Sequence, residues 1–245
     1  MEAPYYNLTG AGFAVLTLIC YGLVYLELKS ALAKISWPSD QKNRFIRRFL
    51  IVLICWTTFL LGVAATGFFA DFSAFPPRIM IVLVIPLIML LLIAFRSKTT
   101  GELLRVIPPR NIVRLQVFRV AVEVLLWACF VQFLLPVQMT FEGRNFDILS
   151  GILGVLVAYL APKNRTVLWV YNIVGLGLLI NIVATAILSL PTPFRVFMNE
   201  PANTLVAYAP FILLPGMLVP LAYGLHFLSF RQLSSGSTSI TGTTK

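Results

Sequence analysis

Long apolar stretches separated by short polar connections run along the whole chain and predict membrane-spanning helices. Seven stretches can be delimited, at residues 11–28, 49–69, 79–95, 112–136, 146–161, 166–190 and 203–230. A helix needs about 20 apolar residues to cross the hydrocarbon core of a bilayer. The fifth stretch is short, and the seventh is long and contains three prolines, which favour kinks. The pattern predicts an all-α fold, with residues 1–233 forming a bundle of seven transmembrane helices.

The basic residues fall in alternate connections, and this distribution predicts how the bundle is oriented. Fifteen of the 19 lie in the first, third and fifth connections or in the C-terminal segment: Lys29, Lys34, Lys42, Arg44, Arg47, Arg48, Arg96, Lys98, Arg105, Arg110, Arg114, Lys163, Arg165, Arg231 and Lys245. The other connections hold only Arg78, Arg144 and Arg195. Because Lys and Arg collect in cytoplasmic loops, we expect the N-terminus outside and the C-terminus in the cytoplasm.

Composition places the chain among multi-pass integral membrane proteins. Of its 245 residues, 59% are hydrophobic and only 11% are charged, and its mean hydropathy is +0.90, whereas soluble domains are about a quarter charged. We expect the plasma (inner) membrane of a prokaryote, with no room for a soluble catalytic or DNA-binding domain. The net charge of +10 is explained by cytoplasmic loops rather than by nucleic acid. The Ser/Thr/Gly-rich segment 234–245 is expected to be a flexible polar tail.

A shared order of short features in the two halves indicates an internal repeat. The tripeptide Lys-Asn-Arg occurs at 42–44, before the second stretch, and at 163–165, before the sixth. An Ala-Thr pair follows each tripeptide after about 20 residues, and prolines nine residues apart flank the start of the third and seventh stretches. The order predicts a 3+1+3 plan of parallel repeats joined by the fourth helix. Chance similarity between apolar segments is the alternative.

A line of polar side chains crosses the fourth apolar stretch and is the main candidate for a functional site. Gln116, Arg119, Glu123 and Trp127 follow one another at spacings of three, four and four residues. On a helix these spacings place all four side chains on one face. An ionised Arg or Glu at membrane depth is costly unless it faces protein or trapped water and finds partners. The line therefore predicts a ligand or proton site.

Three interpretations of Arg119 and Glu123 remain open, because the two residues lie in contact range on one helix face. In the first they form a substrate, ion or proton site, with Glu123 titrating and Arg119 tuning it or binding an anion. In the second they are a neutralised pair that fixes helix packing. In the third Arg119 extends toward the cytoplasmic headgroups.

Polar residues on the sixth and seventh stretches supply further candidates. Asn181 begins a stripe of polar residues four apart on the sixth helix and is expected to face the site, although such residues more often bond to neighbouring helices. Tyr208, Tyr223 and His226 on the seventh helix are secondary candidates. A lone histidine is more often a hydrogen-bonding residue than a ligand or proton relay.

The residue inventory argues against several kinds of membrane enzyme. The single histidine is too few for a multi-His zinc site or for bis-histidine haem. No GxSxG, P-loop or HExxH pattern occurs, so we assign no catalytic residue and expect no metal or cofactor. The seven-helix topology resembles that of rhodopsins and SWEET sugar transporters without sharing a motif, and the seventh stretch has no Lys to attach retinal.

These observations lead to one main expectation about function and two alternatives. The main expectation is a non-enzymatic membrane protein that binds or transports a small solute or a lipid through the polar line on helix 4. The first alternative is a signalling or assembly subunit that contacts a protein partner or anionic lipids through its basic cytoplasmic loops. The second is a lipid-modifying enzyme, which would need a second carboxylate or a histidine within reach of Glu123. Membrane lipids are expected partners, and nucleic acid is not.

Overall fold

The structure is a computed structural model that describes residues 5–235, and those residues form helices and connections without a strand. Nine α-helices follow one another: α1 (Tyr6–Ala33), α2 (Ser39–Ala65), α3 (Ile79–Arg96), α4 (Lys98–Val106), α5 (Pro109–Leu115), α6 (Phe118–Phe130), α7 (Ile148–Leu160), α8 (Arg165–Leu188) and α9 (Val219–Ser234). Short 3₁₀ turns occur at Phe68–Ala70, Val137–Met139 and Leu205–Ala207, and a π-helical turn at Leu214–Leu218. Most of the predicted tail lies outside the described residues.

Four helices, α1, α2, α3 and α8, are long and apolar enough to cross a membrane. They agree with the prediction of a helical membrane protein. The other three predicted spans are built differently: the fourth is divided into α5 and α6, the fifth is the 13-residue α7, and the seventh begins with short turns before α9. The number of crossings and the repeat therefore stay predictions.

The division between α5 and α6 is a local tightening of the helix. Gln116 and Val117 keep right-handed helical backbone angles. The amide of Arg119 donates to the carbonyl of Gln116 at 3.1 Å, and that of Val120 to the carbonyl of Val117 at 3.0 Å. These bonds span three residues, as in a 3₁₀-helix, where side chains three apart lie above one another. Gln116 and Arg119 consequently stay on the same side of the chain, and both are buried.

The irregular chain before α9 lies in the interior of the bundle. Pro215 lies at the start of the π-helical turn and Pro220 in the first turn of α9, where the missing amide hydrogen of proline is tolerated. A Cβ on Gly216 would lie 2.5 Å from a methyl group of Leu60. The indole nitrogen of Trp56 donates to the carbonyl of Gly216 at 3.0 Å. The glycine thus lets α2 approach this turn closely.

The connections between helices contact one another in two groups, one at each end of the bundle. At one end, Trp37 donates to Glu102 at 2.9 Å, and Arg231 donates to the carbonyl of Ser97 at 2.8 Å. These contacts join the predicted first and third loops and the end of α9. At the other end, Phe75 contacts Phe194, with ring centroids 5.2 Å apart. That contact joins the predicted second and sixth loops.

Helix α9 is the most enclosed helix and positions the polar residues of the interior. It packs against α3, α4, α5 and α8, and its buried residues include Tyr223, His226, Ser229 and Gln232. Helix α2, by contrast, buries only Leu60 and Ala64 and leaves most of its apolar side chains on the surface. An apolar exposed surface of this kind fits contact with lipid.

Candidate functional site

Four parts of the chain bring polar side chains together inside the bundle. Helix α6 supplies Arg119 and Glu123, the segment before α7 supplies Asp147, and α9 supplies His226. Their exposed fractions are 2%, 1%, 5% and 0%, respectively. Helix α8 adds a backbone carbonyl and an asparagine side chain. These groups form one hydrogen-bonded cluster, which we call the buried polar cluster.

The guanidinium of Arg119 forms a two-pronged ion pair with Asp147. Its Nε donates to Oδ2 at 2.6 Å, and its Nη2 donates to Oδ1. Nη2 also donates to the carbonyl of Gly175 at 3.2 Å, and Nη1 lies 3.0 Å from Nε2 of His226. Every nitrogen of Arg119 is therefore engaged. The structure differs in this respect from the expected partnership with Glu123. Arg119 is buried rather than extended to the surface, and four of its five N–H groups are used within the cluster.

The hydrogen bonds around His226 define its tautomer. Arginine can only donate, so Nε2 of His226 accepts from Arg119 and carries no proton. Nδ1 lies 3.0 Å from Oδ1 of Asn172 and must be the protonated nitrogen. The amide nitrogen of Asn172 donates to Leu168 and Ser229 at 2.7 and 2.8 Å, which leaves its oxygen as the acceptor. His226 is thus a neutral link that holds Arg119 in place.

Glu123 lies beside the ion pair and is only partly satisfied. Its Oε1 accepts from Nδ2 of Asn145 at 2.6 Å. The Oδ1 of Asn145 accepts the amide hydrogen of Asp147 at 3.1 Å, so Asn145 links the carboxyl group of Glu123 to the backbone of Asp147. The second oxygen of Glu123, Oε2, is buried and has no hydrogen-bond partner within residues 5–235. A buried carboxyl oxygen without a partner is costly and is characteristic of a site that something else completes.

An apolar crevice of about 100 Å³ is lined in part by this carboxyl group. Its walls come from α3, α6, α8 and the irregular chain before α9, and Glu123, Asn145 and Asp147 form most of its polar part. No basic side chain is among its lining residues. The lining residues Met80 of α3 and Ile187 of α8 are half-buried, so the crevice extends toward the surface between these two helices.

The remaining residues of the predicted line on helix 4 have separate surroundings. Gln116 is buried, and its Nε2 donates to the carbonyl of Ala222 at 3.2 Å. Trp127 is partly exposed, and its Nε1 donates to Glu142 at 2.6 Å. Neither residue is among those that line the crevice. The line thus divides into a buried inner part, from Gln116 to Glu123, and a surface residue.

The candidate residues on α8, on α9 and before α9 also lie in different surroundings from one another. Asn181 donates to the carbonyl of Arg144 at 2.9 Å in an exposed position, and it does not reach the crevice. Tyr208 is exposed, and Tyr223 is buried with its ring 6.0 Å from that of Phe227. Among these secondary candidates, the structure brings only His226 into the buried polar cluster.

Sequence reasoning missed two members of the cluster, Asp147 and Asn145, and noted Asn172 only as a polar residue of the sixth helix. Asp147 could have been recognised from its position at the start of an apolar stretch. An ionised carboxyl group there is as costly without a partner as Arg119 is. Asn145 and Asn172 carry no such signal, because uncharged polar residues are common between membrane helices. Within residues 5–235, no group of three His, Cys, Asp or Glu residues is arranged to hold a metal ion.

Comparison with known proteins gives one family match. The family described as Domain of unknown function (DUF8737) matches residues 76–234. This range runs from the connection before α3 to the last residue of α9, and it includes the whole buried polar cluster and the crevice. No curated protein and no solved structure matches the chain.

Proposed function

The chain belongs to the family of the domain of unknown function DUF8737, and we propose that it is a seven-helix membrane protein that binds a lipid or another amphiphilic small molecule. The ligand's apolar part occupies the crevice between α3 and α8, and its polar end reaches Glu123. The observation that carries this proposal is Oε2 of Glu123, which has no hydrogen-bond partner within residues 5–235 and belongs to a residue that lines an apolar crevice.

The proposed topology has seven crossings, with α5 and α6 together forming the fourth. The irregular chain before α9 and α9 itself form the seventh. Two observations support it: the alternation of basic residues along the chain, and the contacts that join the first and third connections at one end and the second and sixth at the other. In this topology the crevice lies in the outer half of the membrane, because it is lined by Ile79 and Met80 at the start of α3 and by Leu190 after α8.

A ligand-binding role for Glu123 is favoured over a purely structural one, because the ion pair and the unpartnered carboxyl oxygen belong to different residues. Arg119 and Asp147 neutralise one another and bond to α8 and α9, as a packing element would. Glu123 takes no part in that pair, and its second oxygen stabilises nothing within the described chain. Burying it would be a net cost to the fold unless a ligand or a proton completes the site.

Filling the crevice tests the proposal. In purified protein, a photoactivatable analogue of hexadecanol should label peptides from α3 and α8. We expect Ala186→Trp, which places a large ring among the crevice-lining residues, to reduce labelling about tenfold, the equivalent of about 1.4 kcal/mol in binding. The matched control is Ala184→Trp, on the exposed side of the same helix. Labelling that is spread evenly over the bundle, or equal in the two variants, would contradict the proposal.

A lipid-modifying enzyme is the second candidate, favoured by the observation that Glu123 and Asp147 both line the crevice. Both oxygens of Asp147 are held by Arg119, however, so only Glu123 has a free oxygen for acid–base chemistry. Chemical conversion of a bound lipid by the wild type, abolished in Glu123→Gln while binding persists, would favour this candidate over simple binding.

A further inference from the structure

The charge of the buried polar cluster identifies the class of ligand, and this inference rests on the proposed function. We infer that the crevice takes an amphiphile with a cationic head, such as a long-chain primary amine, whose ammonium group binds between Glu123 and Asp147. The juxtaposition behind it is an apolar crevice, a fully buried carboxyl oxygen with no partner in the described part of the chain, and an arginine whose nitrogens all make hydrogen bonds.

The first step is the charge balance of the cluster. Arg119 supplies one positive charge, and Asp147 and Glu123 supply two negative charges when both are ionised. His226 is neutral, because its Nε2 accepts from Arg119 and only Nδ1 holds a proton. One negative charge is left without compensation in a site whose members are almost completely buried. Such a charge has to be neutralised by a proton or by a cation.

The second step is that the crevice presents acceptors and lacks cations. Oε2 of Glu123 can accept a hydrogen bond from a ligand, and Asp147 is also among the residues that line the crevice. Asn145 already gives its amide hydrogens to Glu123 and to the carbonyl of Met139 at 3.0 Å. An ammonium group has donors and a positive charge, and it meets both needs. A fatty acid or a phosphate would face two carboxyl groups and no basic side chain among the described residues that line the crevice.

The third step concerns the rest of the ligand. Beyond the carboxyl groups, the lining is aliphatic and includes Leu83 and Leu126 on one side and Leu179 and Ile187 on the other. An alkyl chain bound there keeps its apolar surface out of water. A small inorganic cation would leave these walls without an occupant. The crevice therefore fits an amine that carries a chain, rather than a free cation.

The experiment is a competition among ligands that share a chain and differ in the head. Hexadecylamine, hexadecanol and hexadecanoic acid are offered together in equal amounts to the purified full chain, and bound species are quantified by native mass spectrometry. The wild type should retain the amine over the alcohol by about tenfold, since a charge-assisted hydrogen bond is roughly twice as strong as a neutral one. The acid should bind least. Methylammonium at the same concentration should not compete.

Variants then assign the preference to its residue. Glu123→Gln removes the charge with little change of shape and should bring amine and alcohol to equal binding, while Glu123→Asp should keep the amine first. Glu142→Gln changes an exposed carboxyl group that bonds Trp127 and should leave the preference intact. The ranking in the wild type does not depend on how the variants fold, so it tests the inference alone.

The outcomes separate this inference from the proposed function. If alcohol, acid and amine bind equally, and Ala186→Trp still abolishes their binding, the crevice binds lipids but the inference of a cationic head is wrong. A preference for the amine that survives Glu123→Gln would also overturn the inference, and so would displacement by methylammonium. If none of the three ligands binds, both the inference and the proposed function fail.

Discussion

Arg119 of α6 and Asp147, which precedes α7, are 28 residues apart in the chain and form a buried bidentate ion pair. The pair fastens the end of the 137–147 segment to the bundle interior. Through its other nitrogens, Arg119 reaches Gly175 on α8 and His226 on α9. One side chain therefore ties together three helices and the loop that carries Asn145, the partner of Glu123.

Breaking this ion pair should destabilise the protein strongly. Arg119→Met leaves Asp147 buried without a counter-charge, and we expect a loss of about 3–5 kcal/mol in the free energy of unfolding. Adding Asp147→Asn should recover part of that loss, because the orphaned charge is then removed. Thermal unfolding in detergent measures each variant. Arg78→Met, which breaks an exposed pair with Asp71, is the control and should cost at most about 1 kcal/mol. Additive effects of the two buried substitutions would contradict a direct pair.

Two glycines of α8 should respond differently to the same substitution. A Cβ on Gly175 would lie 2.9 Å from Cε1 of His226, whereas a Cβ on Gly177 would meet nothing within 4 Å. Gly175→Ala should therefore cost about 1–3 kcal/mol through overpacking. Gly177→Ala should be neutral or stabilise the helix by about 0.5–1 kcal/mol. Unfolding temperatures compare the two. Equal shifts would mean that His226 does not lie against α8 as described.

The tautomer of His226 is open to direct measurement, because the chain contains one histidine. Nitrogen-15 NMR of histidine-labelled protein should show one protonated ring nitrogen, assigned to Nδ1, and one unprotonated nitrogen, Nε2. Asn172→Ala removes the acceptor of the Nδ1 hydrogen and should shift that resonance. Two protonated nitrogens, or a proton on Nε2, would rule out the bond from Arg119.

The proposed topology predicts which introduced cysteines a membrane-impermeant thiol reagent can reach. In intact cells of a cysteine-free variant, Ser73→Cys and Asn199→Cys should react, because the second and sixth connections are outside in the proposal. Ser39→Cys and Lys98→Cys should react only after the membrane is permeabilised. All four positions are exposed, so burial does not confuse the comparison. A reactive Ser39→Cys or Lys98→Cys in intact cells would invert or break the topology.

The loop between α2 and α3 should show a mild acid sensitivity. The hydroxyl of Ser73, donating to Asp71 at 2.6 Å, is the main cause that lowers the pKa of Asp71 below its ordinary value, with a smaller effect of Arg78. The ionised form is therefore favoured in the folded loop. Its contribution is present above the unfolded-state pKa and is lost as the pH falls through the lowered folded-state value. Carboxyl NMR titration should show that Ser73→Ala raises this pKa, and an unchanged titration would contradict the assignment.

The inner part of the polar line could be identified from the sequence because polar residues at membrane depth stand out locally. Arg119 and Glu123 were found in this way, and both are buried. Their partners could not be read from the same pattern: spacing on one helix suggested that they pair with each other, but Asp147 binds Arg119 and Asn145 binds Glu123. Asn181 was expected to face the site, but it donates to the carbonyl of Arg144. The direction in which a side chain of α8 points depends on the segments packed against that helix, and the spacing along one helix does not give this information.

The local sequence was enough to predict a helical membrane protein, since hydropathy and helix formation are properties of short stretches of chain. It also determined that Arg119 and Glu123 needed partners, because the cost of a buried charge does not depend on the fold. The three-dimensional fold was needed to show that Arg119 binds Asp147, and that Glu123 lines an apolar crevice with one oxygen that has no partner within residues 5–235. Pairing and cavities depend on distances between segments that are far apart in the chain, and a local pattern does not contain those distances.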